Sequence, residues 1–192
     1  MLDKKRCAWP NSNPLMMDYH DKEWGVPLHD ERKLFEFIIL DGMQAGLSWE
    51  IILKKRANMS KAFYNFEPKV VAKFTEKDVV RLLTDSGIIR NKLKINSAIT
   101  NAQSFLKVQK EYDTFDKYIW QFVEHKPIVN KFRKLSELPA KTALSDAMSK
   151  ELQKRGFKFV GSTICYAFMQ AAGMVNDHSV DCFRYNEINK MS

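Results

Sequence analysis

Apolar residues recur along most of this chain at spacings of three and four, and strand-like alternation is nearly missing, so the pattern predicts an all-α fold. Asp30 is placed to N-cap a helix whose inner face holds Leu34, Phe37 and Ile38 and which ends near Gly42. Trp49, Ile52 and Leu53 open the next helix, which carries the basic cluster Lys54, Lys55 and Arg56. Thr75 and Asp78 have capping-box spacing ahead of Val79, Val80, Leu82 and Leu83, with Gly87 as the stop. A longer stripe follows at Ile95, Ala98, Ile99, Ala102, Phe105 and Leu106, then another at Phe115, Tyr118, Ile119 and Phe122, which Pro127 breaks. Ser145 is read as the cap of a segment running to "KRGFKFVG", after which "STICYAFMQAAG" is helical up to Gly173.

The two ends depart from this pattern. Residues 1–27 and 174–192 lack helical periodicity and are crowded with His, Cys, Asn, Asp and aromatic residues. No Gly/Ser/Pro linker divides the middle. The expected organisation is one domain over 1–192, with a helical body of about 28–173 and a lobe made from the two ends, which need something other than an apolar core to hold them.

A chain of 192 residues can bury a core without disulfides. Its 31 Lys and Arg against 23 Asp and Glu leave +8, the profile of a protein that meets phosphates, although a solubility surplus would give the same number. No apolar run approaches 18 residues and no secretion signal is visible, so a cytoplasmic protein with no membrane partner is expected. Cys7, Cys165 and Cys182 make an odd number, which argues against a disulfide framework. Cys165 reads as a buried small hydrophobe, and His29 and His125 have no visible partners.

Cys7, His20, His178 and Cys182 all lie in the unusual ends. A Cys2His2 set suits the tetrahedral N/S preference of zinc, and four protein ligands leave no open position, so such a metal would be structural. Its work would be to close the very long loop between residues 20 and 178, a cost that grows only logarithmically with length. Against this, no C-x-x-C is present, and four scattered core or surface residues would look the same.

Two further stretches ask for more than folding. "GFKFVG" joins two helical segments, with Gly156 and Gly161 bounding the turn and Lys154, Arg155 and Lys158 around it, so the amides of the following helix could face a phosphate. An ordinary αα-corner has the same glycines. "LDGMQAGLSW" ends an apolar helix with a loop offering Leu47 and Trp49 together, one turn beyond the carboxylate of Asp41.

Together, "CAW", "YHDKEWGVP", "QAGLSW", "LLTDSGIIRNKLKI", "LSDAMSKELQKRGFKFVGSTICYAFMQAAGMVNDH" and the trailing Cys182 resemble the bacterial 3-methyladenine DNA glycosylase I (Tag) family over roughly residues 7–185. The resemblance implies an all-α helix–hairpin–helix glycosylase with one structural zinc per chain on Cys7, His20, His178 and Cys182. It implies a monofunctional enzyme that flips and releases 3-methyladenine from alkylated double-stranded DNA, with Trp9, Tyr19, Trp49 and Asp41 around the base. Asp41, Tyr19 and Trp49 would be the catalytic set, and Leu47, supported by Gln44 and Gly46, the wedge that fills the emptied stack. Arg90, Lys92 and Lys158, with Lys54, Lys55 and Lys94, would meet the DNA backbone.

Asp41 stands where the family carries Glu, and Met16 where an aromatic is often found, which leaves open whether 3-methylguanine or 7-methylguanine is also taken. Asp181 falls twenty positions beyond Gly161, where other superfamily members place an acid, but is expected on the metal lobe's surface; Asp177 is a candidate to support the ligand His178. A monomer is expected. The competing reading is a zinc-stapled DNA-binding module without chemistry, which would need no base pocket.

Overall fold

The computed structural model describes residues 4–191. Ten α-helices follow in chain order among them: α1 Pro14–Lys22, α2 Glu31–Gln44, α3 Trp49–Ala62, α4 Pro68–Val71, α5 Glu76–Thr84, α6 Lys92–Tyr112, α7 Phe115–Trp120, α8 Ala143–Lys154, α9 Ser162–Ala171 and α10 Phe183–Asn189. The helical expectation holds, with one addition. Ile128–Val129 (β1) and Val175–Asn176 (β2) form a two-residue parallel ladder in which Ile128 faces Val175 and Val129 faces Asn176. Two residues per strand leave no alternation for a sequence pattern to reveal.

The helix starts follow from capping chemistry. Asp30 accepts the Lys33 amide at the head of α2, Ser48 accepts that of Ile51 at α3, and Thr75 with Asp78 forms the expected box at α5. At α8 the cap is Thr142, not Ser145; Ser145 is the third helical residue and the partner in that box, its hydroxyl accepting from the Thr142 amide at 2.9 Å. The stops differ in detail. α2 runs two residues past Gly42, α5 ends at Thr84 before Gly87, and α7 gives way to left-handed Glu124 and His125 before Pro127 is reached.

The ends are also more helical than their composition suggests. α1 is capped by Asn13 and presents few apolar positions because Tyr19 and His20 face the molecule through polar-tipped rings. α10 is equally short. A helix of seven to nine residues that buries His and Tyr carries no stripe to detect.

Two buried helices centre the core. α2 places Leu34, Phe35, Ile38 and Leu40 inside, and the long α6 meets it with Ile95, Ala98, Ala102 and Phe105. Phe35 packs edge-on against Phe105 at 5.2 Å, and Phe105 stacks on Phe115 at 4.2 Å. α8 and α9 form a hairpin against α2. Gly156 turns it with φ +94, a conformation that needs glycine, whereas Gly161 has ordinary angles and the second left-handed residue is Phe159. Cys165 is buried in this hairpin as expected, its thiol on the Val160 carbonyl. His29 has a partner after all: its Nδ1 lies 2.8 Å from Asp116 Oδ1, and its ring stacks on Trp120.

Candidate active site and metal cluster

The four residues singled out in the ends converge. Cys7, His20, His178 and Cys182 each offer one ligand atom, all within 4.8 Å of one another, although 171 residues separate Cys7 from His178. Cys7 Sγ lies 3.6 Å from His178 Nδ1, and Cys182 Sγ lies 3.5 Å from both His178 Nδ1 and His20 Nε2. Tetrahedral zinc with bonds of about 2.3 Å to sulfur and 2.0–2.1 Å to nitrogen would set S to N edges of roughly 3.5 Å. The cluster could therefore hold a metal ion.

The far nitrogen of each imidazole is already fixed. His20 Nδ1 lies 2.8 Å from Asp21 Oδ1, and His178 Nε2 lies 3.0 Å from the Trp24 carbonyl, the outer-layer bonds that set a ligand's tautomer. Asp21 is gripped in turn by the Arg6 guanidinium at 2.7–3.0 Å. Burial opposes ionisation of Asp21, but Arg6 and His20 prevail and hold its carboxyl below the ordinary range. A hydrogen bond between the Cys7 thiol and the Cys182 sulfur, together with burial, raises the Cys7 pKa, while the same bond and those to His178 and His20 lower that of Cys182. Asp21 and Arg6 escaped the sequence reading, although a carboxylate adjoining a ligand His was the available signal.

Trp9 and Tyr19 sit two and one residues from the cluster members Cys7 and His20, so whatever fixes the cluster fixes these rings. They line a cavity of about 230 Å³ together with Trp24, Asp41, Gln44 and Trp49, below the roughly 300–1,000 Å³ of drug-sized pockets and suited to one small ring system. Tyr19 lies 5.3 Å from Trp49 and 6.3 Å from Trp9 between ring centroids. Trp24 is buried yet also faces the cavity, and Met16 occupies part of its wall. Leu135, Leu138, Ala167 and Gln170 complete it, none of them foreseen, because they come from an irregular loop and from a helix that read as core.

Asp41 is 2% exposed, and its Oδ2 has no hydrogen-bond partner. The indole Nε1 atoms of Trp9 and Trp49 are buried and unpartnered as well. Buried polar groups are nearly always satisfied, so three orphans around one cavity identify a place prepared for a polar guest. Burial pushes the Asp41 carboxyl well above its ordinary range, and burial with Asp41 nearby does the same to the Tyr19 phenol.

Leu47 projects from the loop between α2 and α3 and is 37% exposed. Gly46 beside it has φ +75 and nothing within 4 Å of where a Cβ would stand, so the loop is open on that side. Arg90, Lys92 and Lys158 are exposed, Lys92 with Glu76 at 3.4 Å. Lys94 is not available to a phosphate: it is buried, and its Nζ donates to the carbonyls of Met43 at 2.8 Å and Ala45 at 2.6 Å, capping the end of α2. Lys55 likewise donates to the Ser86 carbonyl, and Lys54 pairs with Glu50. Asp181 is exposed, as expected, and paired with Lys5. Asp177 does not touch the His178 ring; it accepts from Asn130, Tyr166 and Gln170.

This helical frame, with an aromatic cavity backed by a Cys/His cluster, is that of a base-releasing DNA glycosylase: the methyladenine glycosylase family model matches residues 9–185, and the chain belongs to that family. Among its relatives, DNA-3-methyladenine glycosylase 1 of Escherichia coli K12 is 52% identical over 181 residues, covering 94% of this chain and 97% of that one. DNA-3-methyladenine glycosylase of Haemophilus influenzae is 49% identical over 92% of this chain and 96% of its own. A crystal structure of 3-methyladenine DNA glycosylase I superposes with TM-score 0.91 at 50% identity, covering 93% of this chain and 98% of the other. The Staphylococcus aureus enzyme, solved to explain 3-methyladenine recognition, gives 0.90 at 36% identity over 93% and 95%. No helix among the described residues is long and apolar enough to cross a membrane.

Proposed function

We propose that this chain is a monofunctional DNA N-glycosylase that excises 3-methyladenine from alkylated double-stranded DNA, working as a cytoplasmic monomer. The observation that carries the reading is Asp41, a buried and unpartnered carboxyl in a cavity of indole and phenol rings. A DNA-binding module without chemistry would have no use for it.

The target nucleotide must leave the stack to be reached. Leu47 fills the space it vacates, on a loop that Gly46 keeps slender. Methylation at N3 makes the attached base cationic, which weakens the glycosidic bond and suits it to the faces of Trp9, Tyr19 and Trp49. Its arrival restores the charged form of Asp41, which burial otherwise disfavours, while the Tyr19 phenol stays protonated and able to donate. The C1′–N9 bond then breaks with its electron pair passing to the base, water oxygen bonds C1′, and the water's proton goes to solvent. No lysine lines the cavity, so a Schiff-base route to strand cleavage has no amine.

The α8–α9 pair acts as the helix–hairpin–helix element. Its turn at 156–161, with Lys158, and the exposed Arg90 and Lys92 hold the backbone in place without reading sequence. One zinc ion on Cys7, His20, His178 and Cys182 joins the lobe of 1–27 and 174–192 to the body of 28–173, and supplies no chemistry, since all four positions are protein ligands. Incubating the protein with methylated DNA and separating the released bases tests the reading: free 3-methyladenine is expected, and a protein that binds the DNA but releases no base would overturn it.

A further inference from the structure

Asp177 spends its whole carboxylate on three donors. Oδ1 accepts from Asn130 Nδ2 at 2.6 Å, and Oδ2 accepts from the Tyr166 hydroxyl at 2.7 Å and from Gln170 Nε2 at 2.8 Å. The β1–β2 ladder brings Asn130 into place, since its amide donates to the Asn176 carbonyl at 3.1 Å. Asp177 itself is 1% exposed.

That arrangement fixes the sense of the Gln170 amide. Turning it over would set its carbonyl oxygen against a buried carboxylate, losing a charge-assisted bond and opposing two acceptors. Gln170 lines the same cavity as Asp41, and no described residue donates to its Oε1. The cavity therefore sets two acceptors, Asp41 and Gln170 Oε1, beside the buried unpartnered indole N–H groups of Trp9 and Trp49, with the Tyr19 hydroxyl and the Gln44 amide also on its wall.

Resting on the glycosylase reading, we infer that Gln170, oriented by Asp177, is a specificity-determining residue that accepts from the exocyclic amino group of the flipped base and rejects purines carrying an oxo group there. An adenine amino group has two hydrogens to give, one for each acceptor. A guanine or hypoxanthine oxygen in its place brings lone pairs against Oε1 and leaves the acceptors unpaired, the situation in which a polar site discriminates strongly. The shorter Asp41 is thereby assisted in reading the same edge.

Free-base titrations followed by NMR decide the matter. Wild-type protein should bind 3-methyladenine at least about tenfold more tightly than 3-methylhypoxanthine, in which oxo replaces amino. Gln170→Met should narrow that ratio several-fold, with metal content and Tm held. Equal binding of the two bases by wild-type protein, or parallel weakening of both by the same factor in the variant, would overturn the inference. Gln170→Asn, which withdraws the amide by one methylene, reports the same ratio should the Met variant fail to fold. A wild-type protein that binds neither base and releases none from methylated DNA would instead sink the glycosylase reading.

Discussion

His178 Nε2 lies 3.0 Å from the carbonyl of Trp24, and the two rings meet edge to face at 4.6 Å. One residue of the Cys/His cluster is thus bonded to a wall of the aromatic cavity. Trp24 in turn meets Trp9 at 5.0 Å, so the cluster and the cavity share a single aromatic partition.

Damage to the cluster should therefore be felt in the cavity. Cys182→Ser is expected to abolish stoichiometric metal and lower Tm together, because metal binding to such sites is folding free energy. Asp21→Asn leaves the ligands but weakens the bond that orients His20, and should reduce metal affinity by about 10–100-fold. Metal analysis with thermal unfolding checks both; unchanged metal content in Cys182→Ser would remove the cluster from the fold's support.

Asp41 predicts a conflict between stability and function. Its carboxyl pKa is raised in the folded protein by burial, so the native state holds that proton more tightly than the unfolded chain does. Stability from this group is fully present below the unfolded pKa and is lost as pH rises through the folded one, at about 1.4 kcal/mol per unit of upward shift. Asp41→Asn should be nearly neutral in acid and increasingly stabilising toward neutral and alkaline pH, while base release falls sharply. Tm measured across pH gives the sign directly; a variant equally destabilised at every pH would contradict it.

Leu47 carries a prediction that separates duplex from base. Leu47→Ala should weaken binding to damaged duplex by about tenfold, or about 1.4 kcal/mol, and leave affinity for free 3-methyladenine unchanged. Loss of free-base affinity alone would show that Leu47 belongs to the cavity and not to the loop's exposed tip.

How far the sequence foretold this arrangement depends on the length of the pattern involved. α2, α3 and α6 were legible because their apolar stripes run for three turns or more, and caps such as Asp30 of α2 and Thr75 of α5 mark helix starts. The convergence of the two Cys and two His residues, and the rings beside them, were legible through residue type and through the family motifs. Gln170 and Asp177 were not, since a glutamine on an apolar helix announces no direction and the ladder that orients it is two residues long. Lys94 was misread for a related reason: charge composition counts a lysine whether it faces solvent or two carbonyls.

Salt dependence distinguishes those two kinds of lysine. Arg90→Ala, Lys92→Ala and Lys158→Ala each remove an exposed cation, and each that meets a phosphate should weaken duplex binding uniformly and reduce the slope of log affinity against log salt by about one. Lys94→Met removes no phosphate contact, so its slope should match the wild type. It leaves the Met43 and Ala45 carbonyls without their donor, at about 1–3 kcal/mol for each buried group, and Tm should fall by several degrees. The loop that leads from α2 to Leu47 would loosen with it. Binding isotherms at three salt concentrations, beside thermal melts, check both halves; a reduced slope with an unaltered Tm in Lys94→Met would return that lysine to the DNA.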